Sequence, residues 1–516
     1  MNRKLISVVT LPLLVAMVGC NKTSTSSASS SSSSSKPAAS SESESSGSSS
    51  STTTGSIIKE KTTITLWSIT GKNNQAQLQS YIDEFMKAEP NVTVNNVIQT
   101  GMSYNQLKEA VIQGFSTNNY PDMVQCYPDH VAEYIKYNKA VNLDPYIDNA
   151  EYGWTDEDKS DIYESFITEG QEYATSGTYS VPYCKSTEAM YYNADVLIGL
   201  DLSKIDGTIN NGKPLTAKYL DNLTWEELFD KLCPAIVTYN DSLPDGRKIL
   251  KNDQDYSAVF AYDSDDNLFI TLAKQYGINY TSVDATTGKG KFNFGEGEDK
   301  TKMEELLKKW AGYAKKGYII SKGSAGNNYT NTYFTAQNTL FSIGSTGGYK
   351  YQFDSSNAMN VGVAKIPHAE GKEQYTINQG PSLTILDHSD DNKKLASWLL
   401  YKTITNKDNS LDWALNSGYM GIRKSNVNND EYKEASDYEA KDAKTLDRLS
   451  AYNMTYSGRE DVLNSLFVSP TFVGSSTART QVGGIITKVL TTTNNADQDI
   501  DTWFNEAYNQ CLLALN

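Results

Sequence analysis

The clearest hydrophobic pattern in this chain is an alternation of strands and helices that begins near residue 62. Residues 63–67 alternate apolar and polar side chains, and residues 74–87 place apolar side chains at helical spacing. A second alternating strand follows over residues 92–98, a second helix over 104–115 and a third strand over 121–126. This order predicts an α/β fold with a parallel sheet between helices, in which ligands bind beyond the carboxyl ends of the strands.

The first twenty residues follow a different pattern. Arg3 and Lys4 precede an apolar run over residues 5–18, and Gly19 and Cys20 follow it. A charged start, a short apolar core and a small residue are typical of a secretory signal and not of a spanning helix. One interpretation of this segment is an ordinary cleaved signal that happens to contain a cysteine.

Residues 17–20 resemble the lipobox of bacterial lipoproteins, in which the cysteine is acylated and the signal is cleaved just before it. That resemblance implies a signal peptide over residues 1–19 and a lipidated Cys20 on the extracytoplasmic face of the cell membrane. Serine, threonine, alanine and glycine dominate the chain up to residue 56. Because such a composition cannot bury enough apolar surface to fold, residues 20–57 are predicted to form a flexible tether.

The composition of the whole chain limits its partners. The mean hydropathy is −0.51, and the formal net charge is −16 with a pI near 4.8. Nucleic acid and an anionic bilayer surface would repel such a protein, so contact with the membrane is expected through the lipid anchor only. The segment after the tether is longer than one hydrophobic core usually organises, so two domains are expected.

No metal or cofactor is expected. Outside the signal, Cys126, Cys184, Cys233 and Cys511 are widely scattered, and neither they nor the three histidines show metal-ligand spacing. One disulfide among these four cysteines is an alternative to free thiols.

An acidic run over residues 262–267 suggests calcium, yet it lacks the glycine and the distal glutamate of an EF-hand loop. We expect Asp263 to face a ligand and accept hydroxyl hydrogen bonds. The alternative is that the whole run forms a solvated helix cap.

Several segments, in order, resemble the extracellular solute-binding proteins of ABC importers, the family that includes maltose-binding and glycerol-3-phosphate-binding proteins. The strongest match is residues 179–193, which end in Tyr-Tyr-Asn and look like the first crossover strand between the lobes of that family. The other matching segments are residues 85–91, 121–122, 141–147, 224–228, 339–348, 396–402 and 416–423.

The resemblance implies a two-lobe, periplasmic-binding-protein-like fold of type II, in which each lobe is discontinuous and a hinge separates them beside an interlobe cleft. It assigns residues 62–184 and 336–385 to the first lobe, and residues 185–335 and 386–516 to the second. Ligand would bind in the cleft, and closure would bury it, so affinity and conformational change are one equilibrium. The resemblance also implies a monomer that serves ABC permease subunits and is not an enzyme.

A sugar needs fixed hydrogen-bonding groups and an apolar ring face to lie against. At or just beyond predicted strand ends, Trp67, Tyr127 and Asp129 offer both kinds of contact. The alternatives are that Trp67 is a core residue and that Asp129 forms a turn.

The resemblance adds candidates from the crossovers and the second lobe. The added ligand-binding candidates are Tyr183, Lys185 and Ser186 in the crossover, Ser345 and Thr346 in the glycine-rich turn, Tyr419, and Arg479, which falls where the glycerol-3-phosphate branch has a ligand arginine. The alternative for the glycine-rich turn is a plain turn, and the alternative for Arg479 is a local ion pair.

These observations predict a lipid-anchored receptor that captures a neutral mono- or oligosaccharide and delivers it to an ABC permease. A phosphorylated polyol such as glycerol-3-phosphate is the alternative ligand, since Lys185, Ser186 and Arg479 suit a phosphate. A hypothesis of another class is a tethered glycoside hydrolase or lyase, which needs two carboxyl groups roughly 5 to 9 Å apart. A polysaccharide-display protein or adhesin is a third.

Overall fold

The computed structural model describes residues 56–251, 256–284, 286–491 and 496–515. The predicted signal segment, Cys20 and the tether up to residue 55 lie outside the described residues. The last two residues assigned to the tether are described and belong to the folded part. Ser56 Oγ donates to Glu89 Oε2 at 2.5 Å, and the Ile57 amide donates to Glu89 Oε1 at 2.9 Å. The tether boundary predicted at residue 57 is therefore too late, because the Glu89 carboxylate already binds this segment.

The described residues contain fourteen strands. They are β1 (Thr62–Ser68), β2 (Val92–Ile98), β3 (Met123–Cys126), β4 (Val181–Pro182), β5 (Glu188–Asn193), β6 (Phe260–Tyr262), β7 (Ser282–Val283), β8 (Gly290–Lys291), β9 (Ile319–Ser321), β10 (Phe341–Ser345), β11 (Val361–Ala364), β12 (Thr376–Ile377), β13 (Ser382–Ile385) and β14 (Leu466–Phe467).

Twenty α-helices accompany these strands in the described ranges. They are α1 (Gln75–Ala88), α2 (Tyr104–Thr117), α3 (Pro128–Lys136), α4 (Asp144–Ile147), α5 (Asp156–Asp161), α6 (Glu164–Glu169), α7 (Ala194–Leu197), α8 (Ala217–Leu220), α9 (Cys233–Ser242), α10 (Asp265–Tyr276), α11 (Gly297–Lys315), α12 (Asn331–Thr335), α13 (Asp391–Ile404), α14 (Lys407–Ser417), α15 (Lys424–Asn428), α16 (Asp430–Ser436), α17 (Leu446–Ser457), α18 (Glu460–Asn464), α19 (Ser475–Thr491) and α20 (Ala496–Ala514).

The first lobe is built on a five-stranded sheet in the order β2-β1-β3-β13-β4. Strand β1 runs parallel to β2 and β3, so the predicted alternation of strand and helix from β1 to β3 is confirmed. The sheet is mixed and not parallel, because β13 pairs antiparallel with both β3 and β4. The reason is that β13 enters this sheet from the other lobe and not from a preceding crossover helix.

The second lobe is built on another five-stranded sheet, in the order β11-β5-β10-β6-β9. Strand β5 pairs antiparallel with β10, where Phe341 lies opposite Tyr192, and with β11, where Val361 lies opposite Asn193. The sequence prediction placed β10 and β11 in the first lobe. This pairing puts them in the second lobe and corrects that part of the predicted boundaries.

A further correction concerns the helix that follows β13. Trp398 and Leu400 of α13 are fully buried in the same apolar cluster as Ile64 and Leu66 of β1. Helix α13 therefore covers the first sheet, whereas the prediction assigned all of residues 386–516 to the second lobe. Burial of this apolar face against the sheet is what fixes its position.

The segments that connect the lobes lie side by side. The Ser186 amide donates to the Gln379 carbonyl at 2.8 Å, and the Met420 amide donates to the Lys185 carbonyl at 2.7 Å. Three passages of the chain, near residues 183–187, 378–381 and 418–423, are thus hydrogen bonded to one another. Their position between the two sheets is that of a hinge.

Two further structural facts bear on earlier expectations. The four described cysteines, Cys126, Cys184, Cys233 and Cys511, are buried as free thiols. No helix in the described ranges is both long enough and apolar enough to cross a membrane.

Candidate ligand-binding site

A cavity of about 560 Å³ lies between the two lobes. On the side of the first lobe, Tyr127 and Asp129 line it, directly after β3 at the start of α3. The second lobe contributes the N-terminal ends of α10 and α19, and the crossover contributes Asn378 and Gln379. The cavity is therefore positioned beyond the carboxyl end of β3, where ligands of α/β sheets bind.

An arginine of α19 organises the wall formed by the second lobe. Arg479 Nη2 lies 2.9 Å from Asp266 Oδ2 and donates to Asn267 Oδ1 at 2.5 Å. Burial would raise the pKa of the Asp266 carboxyl, but the Arg479 guanidinium and the Ser264 hydroxyl lower it below its usual value. Burial likewise opposes the charge on Arg479, and the carboxylates of Asp266 and Asp129 still hold its pKa above the ordinary value.

Behind this wall, a buried glutamate completes the hydrogen-bond network. Asn267 Nδ2 donates to Glu188 Oε1 at 2.9 Å and to Gln379 Oε1 at 3.1 Å. The Tyr262 hydroxyl donates to the other oxygen of Glu188. Burial raises the pKa of Glu188 to about 7, although both hydrogen bonds oppose that rise. This carboxyl group therefore titrates near neutral pH.

Three residues that line the cavity have buried hydrogen-bonding groups without a partner among the described residues: Tyr280 through its hydroxyl, Asn378 through Oδ1 and Gln379 through Nε2. The Asp129 carboxylate lines the same cavity, and no described residue forms a hydrogen bond or an ion pair with it. Tyr280 is 7 % exposed, Asn378 6 % and Asp129 9 %. A buried polar group without a partner costs about 1 to 3 kcal/mol, so a set of donors and acceptors in one cavity indicates a ligand that hydrogen bonds in both directions.

Aromatic side chains form part of the cavity wall. The rings of Tyr104 and Tyr127 meet edge to face with centroids 4.6 Å apart, and Tyr127 meets His130 in the same way at 5.9 Å. Tyr280 approaches from the second lobe. Such rings offer apolar surface that can lie against a ligand while their polar edges reach hydrogen-bond partners.

On one rim, the two lobes touch directly. The Gly474 amide at the start of α19 donates to Glu133 Oε1 of α3 at 3.0 Å. Lys108 Nζ of α2 donates to Ser476 Oγ at 3.3 Å. These contacts join the two walls of the cavity at this rim. The Glu133 carboxylate thereby occupies the N-terminal end of α19.

Where the hinge meets the cavity, Glu169 of α6 forms an ion pair with Lys185. Both side chains are fully or almost fully buried, and Lys185 Nζ also donates to the Gly380 carbonyl at 3.0 Å. Ser382 Oγ donates to Glu169 Oε2 at 3.3 Å, and Asn378 Nδ2 donates to Oε1 at 3.3 Å. Burial raises the pKa of Glu169 even though Lys185 opposes the rise.

The structure brings four of the predicted ligand-binding residues together in the cavity: Tyr127, Asp129, Asp263 and Arg479. Asp263 Oδ1 accepts hydrogen bonds from the Thr330 amide at 3.0 Å and the Thr330 hydroxyl at 3.2 Å. Burial raises the pKa of Asp263 to about 6.

The other seven predicted residues do not line this cavity. Trp67 packs into the apolar cluster formed by α2, β3 and α3. Tyr183 and Tyr419 lie beside Trp413, with ring centroids 5.3 and 6.3 Å away.

Lys185 is held by Glu169, and the remaining three residues bind one another and the crossover. Ser345 Oγ donates to Ser186 Oγ at 3.3 Å, and the Thr187 amide donates to Thr346 Oγ1 at 3.2 Å. Their hydroxyl groups therefore join β10 to the hinge.

Sequence analysis missed several lining residues. Tyr104 is the first residue of α2 and follows β2 after a short loop, so it does not stand directly at a strand end as Tyr127 does. Asp266 and Asn267 stand in the acidic run that was considered for calcium. Tyr280 and Asn378 had no local signal, because their positions depend on how the lobes and crossovers are arranged.

The acidic run is occupied by protein groups. Asp265 accepts from Ser321 Oγ at 2.6 Å and from the Gly323 amide at 2.8 Å. Asp266 pairs with Arg479, as described above. Within the described residues, no group of three or more histidine, cysteine or acidic side chains is placed to hold a metal ion.

Comparisons with known proteins extend this picture. The model of the bacterial extracellular solute-binding protein family matches residues 80–440. No curated protein matches the sequence. Among solved structures, the chain is similar to the GacH receptor of Streptomyces glaucescens, solved unliganded and with acarbose, at 15 % identity and a TM-score of 0.61. The similarity covers 88 % of this chain and 99 % of the receptor.

Two further solved structures are similar over almost their whole length. UgpB from Mycobacterium tuberculosis, in complex with glycerophosphocholine, has 16 % identity and a TM-score of 0.62 over 88 % of this chain and 98 % of that protein. Maltose-bound MalE3 from T. maritima has 15 % identity and a TM-score of 0.60 over 86 % and 99 %. At such low identity, these similarities establish the two-lobe α/β fold alone.

Proposed function

This chain belongs to the bacterial extracellular solute-binding proteins, whose model matches well over half of it, and on that basis we propose that it captures a carbohydrate and delivers it to an ABC transporter. The similar solved structures bind maltose, acarbose and glycerophosphocholine. Support for a carbohydrate comes from the cavity itself.

The observation that carries this proposal is the set of hydrogen-bonding groups without a partner. Asn378 Oδ1 is an acceptor, Gln379 Nε2 is a donor, and the Tyr280 hydroxyl is both. The Asp129 carboxylate, which lines the same cavity, is a further acceptor. A sugar hydroxyl also donates and accepts, and a ring with several hydroxyls satisfies such a set at once. The rings of Tyr104 and Tyr127 supply the apolar contact that a sugar face needs.

The proposed mechanism is closure of the lobes around the ligand. Asp129 comes from the first lobe, Tyr280 from the second and Asn378 from a crossover, so one ligand binds all three only when the lobes are close together. Binding therefore stabilises the closed form, which permease subunits recognise from outside. No bond of the ligand is broken, and the protein acts as a monomeric receptor and not as an enzyme.

The charge distribution argues against a phosphate as the bound group. Arg479 is already paired with Asp266, and the amide of Gly474, just before α19, already donates to Glu133. Lys185, the other cation proposed for a phosphate, is buried with Glu169. A phosphorylated polyol would have to displace these carboxylates, so we propose a ligand without phosphate.

The proposal includes attachment to the membrane. We propose that acylation of Cys20 holds the mature chain on the extracytoplasmic face, with the serine-rich segment as its tether. Mass spectrometry of the purified protein is expected to show an acylated N-terminal cysteine, and Cys20→Ser is expected to release the protein into the medium. Retention of the Cys20→Ser protein at the membrane would contradict the anchor.

Thermal unfolding of the purified protein across a panel of neutral oligosaccharides, sugar phosphates and glycerol-3-phosphate tests the function. A ligand that binds only the folded state raises the midpoint by mass action, and at a hundred times Kd it stabilises by about 2.7 kcal/mol. We expect a rise with a neutral oligosaccharide and no new product by chromatography. Consumption of a glycoside would establish an enzyme instead, and a rise only with phosphates would establish the polyol alternative.

A further inference from the structure

The walls of the cavity carry more negative than positive charge. Of its described lining residues, five are acidic and two are basic. His130 adds no positive charge near neutral pH, because burial lowers its pKa. The lining acids are Asp129, Glu169, Asp263, Asp265 and Asp266, and the lining bases are Lys322 and Arg479.

Most of these charges are already compensated by the protein. Glu169 pairs with Lys185 and Asp266 with Arg479. Asp265 accepts hydrogen bonds from Ser321, Gly323 and Thr487.

Three further charges remain, and two of them have a partner of their own. Lys322 lies over the ring of Tyr329 at 3.7 Å, and its charge acts on Asp263. Asp263 is bound by Thr330. Asp129 is the lining acid for which no described residue supplies a hydrogen bond or an ion pair.

The position of Asp129 suits a cation of the ligand. It stands in the first turn of α3 and is nine-tenths buried, next to Tyr127 and His130. Its charge acts on both Tyr127 and Tyr280, as does that of Arg479. Arg479 is a competing cation, because the Asp129 charge also acts on it, but Arg479 forms its ion pair with Asp266 at 2.9 Å. Carboxylates beside aromatic rings bind ammonium groups through ion pairing and cation–π attraction.

We propose that the ligand is a carbohydrate that carries a protonated amine, and that this amine binds Asp129 between the tyrosines of the two lobes. This inference rests on the proposed function and narrows its ligand class from carbohydrates in general to amino sugars. A neutral sugar leaves the Asp129 carboxylate with hydroxyl hydrogen bonds only, which are weaker than those from a charged donor. An N-acetylated sugar has lost the charge and fills more space at the same position.

Isothermal titration with matched sugars tests the inference. The probes are glucosamine di- and trisaccharides, their N-acetylated forms, and glucose oligosaccharides of the same linkage and length, all at pH 6. We expect the amine to bind roughly tenfold tighter than either neutral form, a difference equivalent to one charge-assisted hydrogen bond. The Asp129→Asn protein is expected to lose this preference, so that the amine and neutral forms bind it within about threefold of one another.

A control variant and the pattern of outcomes distinguish failure of this inference from failure of the proposed function. Asp245→Asn, an exposed aspartate outside the cavity, is expected to keep the preference of the unaltered chain. If Asp129→Asn does not fold, the comparison of matched sugars on the unaltered protein still decides. Equal or tighter binding of the neutral sugars would overturn this inference and leave the proposed function standing. An amine preference that survives in a folded Asp129→Asn protein would overturn the role of Asp129, and no binding of any probe would contradict both proposals.

Discussion

The buried ion pair of the hinge and the wall of the cavity lie next to each other, yet their buried polar groups are paired differently. In the hinge, the Lys185 ammonium meets Glu169, the Gly380 carbonyl and Ser382, so every charge has a partner. In the cavity, the buried groups of Tyr280 and Asn378 have none among the described residues. The comparison shows that a buried charge by itself does not indicate a ligand site. The informative feature is a set of buried polar groups without a partner that line one cavity.

The largest expected effect comes from the hinge. Lys185→Met leaves the Glu169 carboxylate buried without its counter-ion, and loss of one partner of a buried pair typically costs about 3 to 5 kcal/mol. We expect a loss of this size in the free energy of unfolding, measured with denaturant. Burial already raises the pKa of Glu169. In the Lys185→Met protein, protonation of Glu169 removes the unpaired charge, so the loss in free energy of unfolding becomes smaller as pH falls.

Two further variants check that the loss of stability comes from a buried charge left without its partner. Lys309→Met removes a half-exposed ion pair with Asp230 and is expected to cost no more than about 1 kcal/mol. The double variant Lys185→Met with Glu169→Gln is expected to regain most of the lost stability. An equal loss in the Lys185 and Lys309 variants would contradict the contrast between buried and exposed pairs.

A second variant tests whether Trp67 belongs to the core and not to the site. Trp67 packs against the apolar cluster of the first lobe that includes Leu107 and Val124. Trp67→Ala is therefore expected to lower the free energy of unfolding by roughly 2 to 4 kcal/mol, while the remaining folded protein binds its sugar with unchanged affinity. Weaker binding without loss of stability would restore Trp67 as a ligand residue.

The pH dependence of stability tests the buried Glu188. Burial raises its pKa from 4.5 in the unfolded chain to about 7 in the folded protein. The folded state then holds this proton more tightly, so stability is fully present below pH 4.5 and is lost as pH rises to about 7. The expected loss over that window is roughly 2 to 3 kcal/mol. Glu188→Gln is expected to flatten this part of the pH profile, and an unchanged slope would show that other groups cause it.

The smallest expected effect concerns the cavity and is the most specific. Tyr280→Phe removes one hydroxyl without a partner and leaves the ring in place. We expect roughly fivefold weaker carbohydrate binding, about 1 kcal/mol, with no loss of stability in the unliganded protein. Tyr351→Phe, which alters a tyrosine that is 71 % exposed, is the matched control and is expected to change neither. A stability loss in Tyr280→Phe would place its hydroxyl in the fold and not in the site.

Much of the first lobe could be predicted from sequence because its signals are local. The alternation of Ile64 and Leu66 with polar neighbours marks β1, and the cap that Ser103 forms with Gln106 marks the start of α2. The placement of β10 and α13 could not be predicted in this way. Phe341 pairs with Tyr192, and Trp398 packs against the first sheet, across distances in sequence that no local pattern encodes.

The residues of the site divide in the same way, into those with a signal in the sequence and those whose position depends on the folded arrangement. Tyr127 and Asp129 were found because they directly follow a strand, and Arg479 because a family resemblance pointed to it. Lys185 was proposed as a ligand residue because the resemblance placed it in a crossover and its ammonium suits a phosphate. Its partner Glu169 lies too far away in sequence to be recognised. Tyr280 was missed because its unsatisfied hydroxyl is a property of the folded arrangement.

A crystal structure with the best-binding oligosaccharide of the panel would test the account most directly. The account predicts the sugar between the lobes, with hydroxyl or amine groups within about 3.2 Å of Asp129, Tyr280 and Asn378. Lys185 is predicted to stay paired with Glu169 and to make no contact with the sugar. A sugar bound elsewhere, or one bound in the cavity while these three groups remain without a partner, would contradict it.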